Sequence, residues 1–365
     1  MKIGIIDADL VGRIKHRFPN LVCMKLSNYN KRLGHSVELL TNYDTIENYD
    51  KVYISKVFTD TPVPEAVLNL SWVKYGGTGF YFDKAPNLNP EIEHSMPDYH
   101  LYDDFINSLV ESGAKKSEFK EYSDYSIGFL TRGCFRKCGF CINKKYDHVF
   151  KHSPLDEFYD PERKKICMLD DNFLGCPNWR EMLQELIDTG KPFKFKQGLD
   201  ERLLTDEKCE ILFNCKYDGD FTFAFDKIED YRLVEKKLKL IRSHTDKTNI
   251  KFYVLCGWDS TDIQDIINTF ERIKLLQSYK CLPYIMRFRS KDGAPWESSE
   301  FRGMYIALSS WCNQPAIFKK NTFYQFCEAK LRDGNKACMR YATEFMEKYP
   351  DIANEFFYIK WGEVS

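Results

Sequence analysis

From Ser126 onward the chain repeats one pattern six times, a short apolar segment of β character followed by a stretch with helical spacing. The β-type segments fall at 126–131, 164–170, 193–198, 220–226, 250–257 and 282–288. This serial alternation constrains the fold more than any other feature, because strands separated by helices pair in parallel, through crossovers that are right-handed. Six such units predict a parallel sheet that curls into a partial (β/α)6 barrel. The helical spacing is explicit between the segments. Trp179, Met182, Leu183, Leu186 and Ile187 occupy one helix face, and Gly190 ends that helix. Ile263, Ile266, Ile267, Phe270, Ile273 and Lys274 follow the same period after Thr261, which is expected to cap it. In sheets of this kind chemistry gathers at the carboxyl ends of the strands, so the residues just past each segment are the ones to read.

The first eighty residues carry a second, smaller alternation. Lys2 to Ala8 is an apolar run, Leu21 to Leu33 reads as a helix stopped by Gly34, and three further β-rich stretches follow, at Val37–Thr41, Lys51–Ser55 and Val73–Phe82. They predict a small parallel sheet of Rossmann or flavodoxin type. No G-x-G-x-x-G follows the first strand, so a dinucleotide role is not expected and the domain reads as a scaffold. Residues 83–122, with Pro86, Pro90 and Pro97, read as a connector. Beyond Ser290 come Trp296, Trp311-Cys-Asn-Gln-Pro315 and a helical tail. At 365 residues the chain exceeds what one core fills. The expected division is 1–122 for the Rossmann-like domain with its connector, 123–292 for the partial barrel and 293–365 for a helical carboxyl-terminal cap, an α/β protein throughout.

Directly after the first of the six segments stands the run Thr131-Arg-Gly-Cys-Phe-Arg-Lys-Cys-Gly-Phe-Cys-Ile-Asn143. Cys134, Cys138 and Cys141 form C-x3-C-x2-C, with the aromatic Phe140 before the last. The chain has thirteen cysteines, and no basic segment followed by a long apolar run reads as a secretory signal, so reduced thiols or metal ligands in a cytoplasmic protein are expected. Thiolates are soft ligands. Three on one short loop can hold three irons of a cubane and leave the fourth without a protein ligand. The alternative is a tetrahedral Cys3His zinc site completed by His148. Fifty-three basic residues nearly cancel fifty-four acidic ones, giving a formal charge of −1, so no whole-molecule field argues for nucleic acid or a membrane. No apolar stretch is long enough to cross a bilayer.

The cysteine spacing, its place after the first barrel strand and the six-unit alternation resemble the radical S-adenosylmethionine (SAM) superfamily, over roughly residues 126–290. The amino-terminal segments Gly34-His-Ser-Val-Glu-Leu-Leu-Thr and Asp50-Lys-Val-Tyr-Ile-Ser are similar to the first domain of its cobalamin-binding branch. That branch ligates cobalt through the His of D-x-H-x-x-G. Here Asp7 and Asp9 precede Leu10-Val-Gly with no His in register, and His16 lies too far along, so cobalamin is not expected. The resemblance implies a 4Fe-4S cluster on Cys134, Cys138 and Cys141, with SAM chelating the open iron through its amino and carboxylate groups. Asp170, Asp171 and Asn172, after the second segment, would hold the SAM ammonium, or cap the next helix. Gln197 and Arg202, near the end of the third, would sit at the rim, with Arg202 pairing the SAM carboxylate or an acidic neighbour. Asp226 would meet the ribose or the substrate. Gly257 would let the backbone approach the adenine or ribose. Arg287 and Arg289 share one face of the sixth strand, as contacts for an anion or as members of surface salt bridges.

Reductive cleavage of SAM to a 5′-deoxyadenosyl radical that abstracts hydrogen from a substrate is the activity so implied. An electron donor such as flavodoxin or ferredoxin would be the partner, and the substrate a small molecule, peptide or nucleotide. A mouth lined by Lys144, Lys145, Arg287 and Arg289 would favour phosphorylated or nucleic-acid substrates, and an acidic one amines or sugars. A cobalamin-dependent methyltransferase with His-off cobalt and a non-catalytic metal-binding module are the competing readings. Cys312, Cys327 and Cys338 raise the further question of a second cluster, although their spacings are long.

Overall fold

A computed structural model of the chain describes residues 1–13 and 15–363. The chain divides into two compact units, Met1–Gln197 and Gly198–Ser365.

The first unit opens with four strands, β1 (Lys2–Asp7), β2 (Ser36–Leu39), β3 (Lys51–Ser55) and β4 (Val73–Gly76). All pair in parallel, in the order β2-β1-β3-β4. The central strand β1 is apolar on both faces, with Ile3, Ile5 and Ile6 fully buried, as a strand covered on each side must be. The helix Leu21–Arg32 covers one face through Leu21, Cys23, Met24 and Leu26. Asn20 starts it, its Oδ1 accepting from the Val22 and Cys23 amides at 3.1 and 3.3 Å. The fourth β-type stretch is shorter than its composition suggests. Gly77, at φ 107°, ends the strand against the Lys56 carbonyl, and Thr78–Tyr81 turns into a helical loop.

Residues 83–122, which read as a connector from their prolines, are partly helical. Helices form at Pro90–Glu93, Asp103–Glu111 and Lys120–Ser123. Pro90 stands at the start of the first of these behind an Asn89 cap, where a missing N–H costs nothing, so proline initiates helix here. Tyr99, Tyr102, Ile106, Phe119 and Tyr122 from this segment share one buried core with Ile3, Ile5 and Met24. Two hydroxyls tie it down. Tyr102 donates to Asp7 Oδ2 (2.9 Å) and accepts from the Asn20 amide (2.9 Å). Tyr99 donates to the Phe158 carbonyl (2.6 Å) and accepts from the Ile127 amide (2.8 Å).

The same unit continues through β5 (Tyr125–Gly128), β6 (Thr131–Arg132), β7 (Phe150–Lys151), β8 (Lys165–Met168) and β9 (Phe193–Phe195). Strands β5, β8 and β9 form a parallel sheet in that order, and β6 and β7 a short antiparallel ribbon. The Phe158 ring rests directly on Gly128, where any side chain would overlap it. The helix Trp179–Asp188 buries Met182, Leu183 and Leu186, and Gly190 follows it at φ 67°.

The second unit holds β10 (Phe221–Ala224), β11 (Ile250–Cys256) and β12 (Leu282–Arg287), again parallel. All six expected segments are thus strands, arranged as two three-stranded sheets, one in each unit. The helix Ile263–Ser278 is capped by Asp262 rather than Thr261. The Asp262 carboxylate accepts from the Gln264 and Asp265 amides at 2.9 and 3.3 Å. Helices at Arg302–Cys312, Pro315–Phe318, Phe323–Arg332, Ala337–Lys348 and Pro350–Phe356 follow, and Phe270 packs against Phe323, Phe356 and Phe357. No helix among the described residues is long and apolar enough to cross a membrane.

Candidate functional site

The cysteines sit on an excursion whose two ends are pinned together. The chain leaves β6 at Arg132 and returns into β7 at Phe150, and these two residues are register partners. Gly133, at φ 87°, makes the turn into the loop, and a side chain there would overlap the His148 carbonyl oxygen. Cys134, Cys138 and Cys141 are all half-exposed, the state open to a metal. Three N–H groups point at their sulfurs. The Arg136 amide and Asn172 Nδ2 each lie 3.4 Å from Cys134 Sγ, and the Asn143 amide lies 3.3 Å from Cys141 Sγ. Such donors stabilise thiolates and tune the clusters they hold. The Cys141 thiol is pushed up chiefly by burial and further by the neighbouring Cys138 and Cys134. Phe140 is half-buried beside it.

Asp170, Asp171 and Asn172, expected to face SAM or cap a helix, brace this loop residue by residue. Asp170 accepts from the Thr131 amide and hydroxyl, both at 2.6 Å, and from the Leu130 amide at 3.4 Å. It is fully buried, and burial pushes its carboxyl up to about 7 against the pull of those bonds. Asp171 accepts from the Gly133 amide at 2.8 Å. Asn172 reaches Cys134 itself. The next helix, Trp179–Asp188, takes no side-chain cap from any of them. Nearby, Lys144 donates to the Gly139 carbonyl (3.1 Å) and Lys145 to Asn87 Oδ1 (2.6 Å). Gln197 lies exposed just beyond β9.

Among the described residues no group of three or more His, Cys, Asp or Glu side chains is placed to hold a metal ion. His148 Nδ1 lies 2.8 Å from Asp147 Oδ1.

The remaining candidates lie in the second unit. Arg202 gives its Nε–H to Asp200 Oδ1 at 2.6 Å and stands 3.7 Å from Glu201 Oε1, the acidic pairing the sequence left open. Glu201, unremarked in the sequence, is almost fully buried, accepts from the Ala224 amide (3.3 Å) and is pushed up to about 8 by burial. Asp226 follows β10 and is pushed up to about 6, mainly by burial, with Arg272 opposing. Arg272, also missed, is buried in the helix Ile263–Ser278. It donates to the carbonyls of Phe225, Asp226 and Leu255 at 2.8–3.1 Å, gathering the ends of β10 and β11. Its position among apolar helix residues was the available signal. Gly257 does adopt a left-handed φ of 68°, but Trp296 occupies the space above it, 2.8 Å from where a Cβ would stand. The Gly257 amide donates to Asp265 Oδ2 (2.7 Å). Arg287 stacks on Trp296, 4.4 Å from the ring centre, and Arg289 pairs with Glu297 at 2.6 Å. Cys312, Cys327 and Cys338 are buried on three different helices, with thiols pushed up by burial.

No protein-family model matches this chain. Among solved structures it is similar to the cobalamin-dependent S-adenosylmethionine radical enzyme OxsB, solved with aqua-cobalamin and S-adenosylmethionine bound. The identity is 12% and the TM-score 0.35, over 99% of this chain and 64% of OxsB. The chain therefore spans less than two thirds of that enzyme's length.

Proposed function

We propose that this protein is a radical SAM enzyme whose 4Fe-4S cluster is held by Cys134, Cys138 and Cys141. The observation that carries this reading is the loop itself. Three half-exposed thiols lie between the ends of a pinned ribbon, receive N–H donors, and are braced from below by Asp170, Asp171 and Asn172. Held by Cys134, Cys138 and Cys141, such a cluster would supply the electron for reductive cleavage of SAM. The chain's own contribution is to position and to shield. Asp170 and Gly133 hold the loop in one shape. In this reading a small reducing protein such as a flavodoxin or ferredoxin supplies the electron. The substrate class stays open among small molecules, peptides and nucleotides.

Anaerobic reconstitution with iron and sulfide tests it. Brown protein near four irons per chain is expected, with 5′-deoxyadenosine released on adding SAM and dithionite. Each of Cys134→Ala, Cys138→Ala and Cys141→Ala should abolish both. A chain that takes up zinc but no iron overturns the proposal, and a cluster that never cleaves SAM reduces it to the binding module.

A further inference from the structure

A second site lies at the opposite end of the first unit's sequence and does not depend on the cysteine loop. In the order β2-β1-β3-β4 the chain steps from β1 to one side and then to the other, so β1 and β3 flank the point where strand order reverses. Crevices outside the carboxyl ends of strands at such points are where open α/β sheets bind ligands. A cavity of about 500 Å³ opens there, lined by Gly12, Arg13, Lys15 and His16 after β1 and by Phe58 and Asp60 after β3. That volume lies in the range of small-molecule sites.

Buried polar groups brace the loop after β3 that forms one wall of the cavity. Asp9, fully buried, accepts from the Val57 amide (2.7 Å), the Phe58 amide (3.4 Å) and the Thr61 hydroxyl. Lys56 Nζ holds the same loop through the Thr61 carbonyl at 3.1 Å. Gly12 allows the two loops to close up, since a Cβ there would stand 2.8 Å from the Thr61 methyl. The outcome is that Phe58 faces solvent, 42% exposed, on a loop anchored at several points. The Arg13 guanidinium lies over its ring at 4.3 Å while giving one N–H to Asp60 at 2.6 Å, and His16 meets the ring edge. A guanidinium has five N–H donors, so others remain to meet an anion. Tyr75 within β4 and Tyr81 just beyond it, both 38% exposed, hold their ring planes parallel. Phe82, next in line, sits at φ 57°, a strained conformation for a bulky residue, and such strain collects at functional sites.

We infer that this carboxyl edge binds a nucleotide, its planar base stacked on Phe58 and its phosphate met by Arg13 and Lys15. The absence of a glycine-rich phosphate loop fits, because here side chains rather than backbone amides take the anion.

Calorimetric titration of the intact chain with AMP, ATP and FMN tests this. Saturable one-to-one binding of at least one of them is expected. Phe58→Ala and Arg13→Ala should each weaken it by roughly tenfold, the size of a lost base–aromatic stack, while Tyr358→Ala, an exposed aromatic of the second unit, should leave it unchanged. Circular dichroism confirms that each variant is folded. No binding of any of the three at millimolar concentration overturns the inference. So does binding indifferent to Phe58 and Arg13, or binding of aquacobalamin where all three nucleotides fail.

Discussion

Gly133 governs the cysteine loop through a missing carbon. Its φ of 87° and its contact with the His148 carbonyl exclude any other residue without moving Cys134. Gly133→Ala should lower stability by roughly 1–3 kcal/mol in denaturant titration and cut iron uptake on reconstitution, whereas a variant that loads iron fully would show the turn to be dispensable. Asp7 makes a different residue-level prediction. Burial, opposed by its hydrogen bond from Tyr102, pushes its carboxyl from 3.8 up to about 7. Between those values the folded chain keeps a proton the unfolded chain has lost, so this contribution to stability is full below about pH 4 and fades as pH rises to about 7. Asp7→Asn is neutral throughout. Its melting temperature should therefore drop less between about pH 5 and about pH 8 than that of the wild type; an equal drop would contradict the shift. Asp170, Glu201 and Asp226 are shifted in the same direction and preserve part of the slope.

At the scale of elements, local pattern carried the strands and long-range contact decided the rest. The six segments from Ser126 and the strands at β1 and β3 were legible because apolar runs bounded by helical spacing depend on neighbours in sequence alone. The helices between Pro90 and Ser123 were hidden by prolines whose positional meaning becomes clear only once the Asn89 cap is seen. The cysteines announced themselves by spacing. That Asp170, Asp171 and Asn172 hold residues some forty positions earlier could not be read from a run of three polar letters, since a carboxylate's partners are set by the sheet that brings β5 beside β8. Tyr99 shows the same dependence. Its hydroxyl serves the Ile127 amide and the Phe158 carbonyl, both from other elements, so Tyr99→Phe leaves two buried polar groups without it. Urea titration should register a loss of roughly 1–3 kcal/mol. A neutral substitution would mean water replaces the hydroxyl.

Across the whole molecule the thirteen thiols separate by exposure. Nine are buried, and Cys134, Cys138, Cys141 and Cys215 are half-exposed. Burial pushes Cys215 up to about 11, so at neutral pH it reacts slowly despite partial access. Iodoacetamide labelling of the native, metal-free chain followed by mass spectrometry should mark Cys134 and Cys138 before the nine buried thiols, with Cys141, whose thiol burial also raises, behind them. Anaerobic reconstitution should then protect those three and leave the order of the others unchanged. Rapid labelling of Cys312, Cys327 or Cys338 would contradict their burial.

The ring of Phe158 on Gly128 joins the floor of β5 to a position thirty residues later. Neither partner is free to vary alone: enlarging residue 128 displaces the aromatic, and trimming residue 158 opens a void beneath the strand that feeds the cysteine loop. Orthologues should consequently change these two positions in concert or not at all, and a Gly128→Ala chain that fails to fold should regain its footing when Phe158→Leu is added.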